Sequence, residues 1–184
     1  MAGFLLAMLA VLATGLGARD QVLVARMTPR RAVLAVALVC TLIASLAAGW
    51  AGHSVAPLMT APARTFLVAM ALGLAALELL FVRPGRKPLE PTQSLGAFFV
   101  VVLAQQLFDA ARFTLFAIAA ASPAAWTAVA GGLLGSAASV LAGWLGGAAW
   151  EAQPLALIRR GLGAALLLLA LYLAYPATAA RLAA

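Results

Sequence analysis

The sequence predicts an all-α integral membrane protein of about six transmembrane helices, arranged as two inverted three-helix repeats. Composition is the first ground: of 184 residues, 66% are hydrophobic and 9% charged, against roughly 25% charged in an ordinary soluble domain. The second is run length, because the apolar stretches reach the ~20 residues a helix needs to cross a bilayer. The third is internal similarity. Moving the chain by 94 positions lays Ser45-Leu46-Ala47-Ala48-Gly49-Trp50-Ala51-Gly52 on Ser139-Val140-Leu141-Ala142-Gly143-Trp144-Leu145-Gly146, with five of eight identical. The same shift lays Thr28-Pro29 on Ser122-Pro123 and Ala76-Leu77 on Ala170-Leu171, which favours a true repeat.

The apolar runs place spans near residues 3–27, 31–52, 64–82, 96–121, 124–149 and 156–175. Met1 to Leu12 has neither a basic n-region nor a cleavage site, so it reads as a mature first helix. Arg19, Asp20 and Gln21 interrupt the first run before Val22-Leu23-Val24 resumes; the helix either ends there or carries a polar break inside the membrane. Pro29 opens the next helix, and Cys40, the single cysteine, is a small packing residue with no intrachain disulfide open to it. His53 to Pro62 is a polar loop in which His53 has no assigned role. Val82 to Leu95, with Pro84, Gly85, Pro88 and Pro91, is the joint between halves. The domain plan is one polytopic unit, 1–184, made of a first repeat 1–82, a cytoplasmic linker 83–95 and a second repeat 96–184.

The net charge of +7 falls in short loops, where basic residues orient helices, so no nucleic-acid partner is expected. Arg26, Arg30 and Arg31 lie at the first connection, Arg83, Arg86 and Lys87 at the third, Arg159 and Arg160 at the fifth; the even connections and C-terminal segment offer only Arg64 and Arg181. Both termini are therefore expected outside the cytoplasm of a bacterial-type inner membrane. With three spans per half, the halves are then inverted, as in many secondary transporters.

Span five carries Thr127, Gly131, Gly135, Ser139, Gly143 and Gly147 at a spacing of four. Such a stripe of small residues lets another backbone approach closely, so Gly131, Gly135, Ser139, Gly143 and Gly147 are assigned to helix packing. Trp126 and Trp150 bracket the span, about 36 Å apart at 1.5 Å per residue, as anchors at the two interfaces.

The chemistry concentrates in Gly96 to Ala121, an apolar run with Gln105, Gln106, Asp109 and Arg112 near its middle. A charge at mid-bilayer costs at least about 2.5–3.5 kcal/mol, so such groups face a bundle interior or a wet cavity and pair there. Read as one helix, Gln105, Asp109 and Arg112 share a face. The candidate ion ligands are Asp109 and Gln106; Gln105, Arg112, Thr14, Gln21 and Glu78 are candidate pocket-lining residues. Glu78 sits near the cytoplasmic end of span three beside Arg83, where a solvated carboxylate is the plainer reading.

Six spans in two inverted halves with a polar motif in the first and fourth resemble the GDT1/TMEM165 family, itself related to LysE-type exporters; the likeness is strongest from Phe98 to the end of span six. In that family two motifs of the form Glu-x-Gly-Asp-(Lys/Arg)-(Ser/Thr) are thought to form a manganese or calcium site used in exchange against protons. The second motif falls on Gln106-Leu107-Phe108-Asp109-Ala110-Ala111, which keeps only Asp109. The first falls either on Leu12-Ala13-Thr14-Gly15-Leu16-Gly17 or on Gly15 to Gln21, the latter keeping Gly17, Arg19 and Gln21. The resemblance implies a secondary transporter of the divalent-cation:proton exchange type, with Mn2+ or Ca2+ as transported ion rather than cofactor and a divergent, active or inactive, ion site. The alternative is a non-transporting structural or partner-binding membrane protein on the same scaffold. No enzyme motif is present, so catalysis is not expected.

Overall fold

The apolar runs become helices in the computed structural model, which describes residues 1–82, 94–151 and 155–182. In chain order they are α1 (Ala2–Gly15), α2 (Arg19–Arg26), α3 (Arg31–Val55), a 3-10 turn Ala56–Leu58, α4 (Ala61–Phe81), α5 (Leu95–Leu107), α6 (Ala110–Ala121), α7 (Ala125–Glu151) and α8 (Leu155–Leu182). No strand occurs among the described residues. Pro84, Gly85, Pro88, Pro91, Arg83, Arg86 and Lys87, assigned to the joint between halves, lie outside them.

Four segments are individually long and apolar enough to cross a membrane: Arg31–Leu58, Ala61–Phe81, Ala125–Gly147 and Leu155–Pro176. The pairs α1/α2 and α5/α6 pass only together, bent by 65° and 51° at short breaks. The described residues thus hold four to six candidate spans; run one is broken at the polar interruption the sequence left open, and run four, expected as one helix, is broken as well. His53, expected in a loop, instead ends α3 and lies against Trp126 with ring centroids 5.8 Å apart.

Two different local causes break these helices. After α1, Leu16 and Ala18 are extended and Gly17 takes φ 68°, the left-handed conformation that only glycine adopts without a Cβ penalty. After α5 there is no glycine. Phe108 leaves helical geometry and Asp109, extended at φ −97° and ψ 165°, caps α6 by accepting the Arg112 backbone N–H on Oδ1 at 2.7 Å. The three-residue spacing of Asp109 and Arg112 is therefore a cap, and Gln105, Asp109 and Arg112 do not share one helical face.

Packing brings the breaks together. The halves α1 and α2 both lie on α7, while α5 and α6 both lie on α3; α4 packs on α8 and α6, and α1 also touches α6. The small-residue stripe is the seam between α7 and the α1/α2 pair. A Cβ on Gly131 would run into the Phe4 carbonyl, one on Gly135 into the Met8 carbonyl, and one on Gly143 would come within 2.5 Å of Gln21 Cγ. Gly147 belongs to the stripe by spacing only. At φ 49° it kinks α7, and the nearest atom to an added Cβ is 3.8 Å away. That kink alters the expected role of Trp150: its indole N–H turns in and donates to Gln21 Oε1 at 2.9 Å, while Trp126 stays 51% exposed. Cys40 is fully buried among Leu23, Val24, Val33, Phe98, Val102 and Val140.

Candidate functional site at two helix breaks

A broken helix inside a bilayer leaves backbone N–H and C=O groups without partners, each costing several kcal/mol unless protein or trapped water satisfies it. At the first break Gln21 meets that need. Its Oε1 accepts from the Gly17 N–H as well as Trp150, and its Nε2 donates to the Ser139 carbonyl and, at 3.1 Å, to Ser139 Oγ. Both acceptor sites and both donors of the amide are thereby used, and Gln21 is completely buried. Its role is to staple the break to α7 rather than to line an open pocket.

One residue earlier, Asp20 projects from the first turn of α2 and is 6% exposed. Gln106 Nε2 donates to Asp20 Oδ2 at 2.7 Å and to Thr41 Oγ1 at 3.1 Å; the Thr41 hydroxyl in turn donates to the Ala37 carbonyl at 2.9 Å. Gln106 thus bridges α5 to α2 and α3 and holds a carboxylate. Its Oε1 has no partner among the described residues.

Asp20 and Asp109 line the same small cavity, of about 10 Å³, together with Gly15, Ala111, Arg112, Ser136, Ser139 and Val140. That is room for about one water. Arg112 Nη1 donates to Ser136 Oγ at 2.9 Å and stands 3.9 Å from Asp109 Oδ2, an ion pair too long for a hydrogen bond. Arg112 Nε and Nη2 have no partner among the described residues although the residue is 3% exposed. Ionised, Asp20, Asp109 and Arg112 sum to −1, in a setting where unbalanced charge is costly.

A second ionic contact adjoins the first break. Arg159 Nη2 bonds Glu78 Oε2 at 2.8 Å, both side chains being buried, and Arg159 Nη1 reaches the Leu16 carbonyl at 3.2 Å. Glu78 is therefore not a solvated end-of-span carboxylate, and Arg159, counted among the loop charges, is an interior group joining α8, α4 and the break.

Of the residues expected at the site, Asp109 and Arg112 line the cavity and Gln106 and Gln21 position its walls. Thr14 is buried with its hydroxyl on the Ala10 carbonyl at 2.8 Å, and Gln105 Oε1 has no partner among the described residues. Asp20, Ser136 and Ser139 were not expected there. The charge of Asp20 inside an apolar run was a signal for it; the two serines carry none beyond their place on α7. Among the described residues no three His, Cys, Asp or Glu side chains form a group that could hold a metal ion. Compared with known proteins, the chain matches no family model, and neither a curated protein nor a solved structure gives a significant match.

Proposed function

We propose that the protein is a secondary transporter of the cation:proton exchange type, built as two inverted three-helix halves, with its site where the two broken spans meet. The observation that carries this reading is that Asp20 and Asp109, one from each break, line one buried cavity with Arg112. Broken helices at membrane depth are tolerated where they are buried in protein or line a cavity, and in inverted-repeat transporters they form the substrate site. The pairing of α1/α2 with α7 and of α5/α6 with α3 is the pattern that an exchange of halves would produce.

The charges suit an exchange of one divalent cation for two protons. Empty, the cluster carries −1; two protons or one divalent ion each bring it to +1, so either load crosses the membrane field with the same cluster charge. Asp20 and Asp109 are the groups that take the proton or the ion. Ser136 and Ser139 hydroxyls add neutral oxygens to the carboxylates, the oxygen ligands a hard cation takes. In proteoliposomes, Mn2+ or Ca2+ should move against a pH gradient, and Asp20→Asn and Asp109→Asn should each abolish that movement. Transport unchanged in both variants would sink the assignment.

The second reading, a non-transporting scaffold, draws on Arg112. A fixed guanidinium 3.9 Å from one of the two carboxylates repels a cation, and as a neutralising pair the two would only hold α6 in place. No ion flux with the parent protein, in liposomes where its folded state is verified, favours that reading.

A further inference from the structure

Away from the central cluster, an apolar groove of about 450 Å³ opens between α1, α4, α6 and α8; Gly3, Leu6, Val68, Leu72, Ile118 and Leu169 are among its walls. It shares Ala121, Ser122 and Pro123 with a second cavity of about 310 Å³ that is lined also by His53 and Arg64. The two cavities adjoin at those three residues. Arg64, Val68 and Leu72 are spaced four apart on α4 and so lie on one face, which sets the guanidinium one turn, about 6 Å, beyond the apolar wall. Arg64 is exposed, and its guanidinium makes no hydrogen bond or ion pair among the described residues. Among the described residues no carboxylate lines either cavity.

Thr114 also contributes to the groove wall but is 2% exposed, with its hydroxyl oxygen buried. An occupant that is apolar along most of its length and ends in a negative charge satisfies both features. We propose that this site binds one phospholipid with an anionic headgroup, its phosphate at Arg64 and His53 and an acyl chain in the groove. Charge complementarity at the mouth selects this occupant over a neutral lipid, because a basic residue near the surface contributes about 1 kcal/mol toward an anionic lipid, roughly fivefold in affinity.

The test uses the full chain in detergent, titrated with phosphatidylglycerol or phosphatidylcholine of identical acyl chains and read by native mass spectrometry and thermal melting. Phosphatidylglycerol should bind about fivefold more tightly. Arg64→Gln, at an exposed position, should keep the parent melting temperature without lipid and lose the preference. Leu169→Trp, which narrows the groove, should weaken both lipids. Inorganic phosphate alone should have no effect. Equal affinity for the two lipids, a preference that survives Arg64→Gln, unchanged binding in Leu169→Trp, or stabilisation by phosphate alone would each overturn the proposal, the last by pointing to a soluble anion.

Discussion

At the scale of single residues, Arg112 decides between the two readings of the cluster. Its backbone N–H, not its side chain, makes the short bond to Asp109, so truncating the side chain leaves the α6 cap in place. Arg112→Ala should cost only about 1–2 kcal/mol from the lost Ser136 bond and packing, and should increase stabilisation by Mn2+ in a thermal melt, since a fixed positive charge has gone. A loss of about 3–5 kcal/mol with no metal response is what a neutralising buried pair predicts. Gln106 offers a second check. Gln106→Leu removes the donor to Asp20, and the stranded carboxylate should lower both the melting temperature and any cation flux, whereas Gln105→Leu should leave the flux unchanged.

At the scale of elements, the bent α1/α2 pair keeps its shape because α7 gives it a small-residue seam and a serine to bond. Gly135→Leu pushes a side chain into the Met8 carbonyl and should lower stability in detergent by more than the 1–3 kcal/mol typical of an overpacked core, because backbone cannot rotate away. Leu134→Ala, at a 53% exposed neighbour, is the control and should change stability little. The stripe was legible as a seam from its spacing of four, and Gly131, Gly135 and Gly143 fill that role. Gly147 was legible only as a member of the same series; its positive φ kinks α7, and beyond the kink Trp150 bonds Gln21, 129 residues away.

At the scale of the whole molecule, the Glu78–Arg159 pair ties α4 and α8 to the first break. Removing one partner strands a buried charge, so Glu78→Gln should cost about 3–5 kcal/mol, and Arg159→Met more, because the Leu16 carbonyl also loses its donor. The double variant Glu78→Gln/Arg159→Met should recover part of the loss, a coupling that a double-mutant cycle in mixed micelles reads directly. The proposed inverted halves have a topological consequence. In a Cys40→Ala background, a membrane-impermeant thiol reagent should label cysteines at Met59 and Pro123 from outside the cell, and one at Pro29 only after the membrane is opened. Met59 and Pro123 on opposite sides would rule out two three-span halves.

What the sequence by itself determined is the class: helices apolar enough to span a membrane, their approximate limits, and the presence of polar groups in the first and fourth runs. Those follow from local composition, because solvation by lipid or water acts on each stretch independently of the others. For the first run the sequence left a polar break open, and tertiary structure decided that it is one; for the fourth only the structure showed a break. A break in an apolar setting survives where distant groups satisfy it, as Gln21, Ser139 and Trp150 do for the first. Tertiary structure also decided that Asp20 joins Asp109 and that Arg159 reaches Glu78. A buried charge is stable according to which partners surround it, and those partners come from helices far apart in the chain.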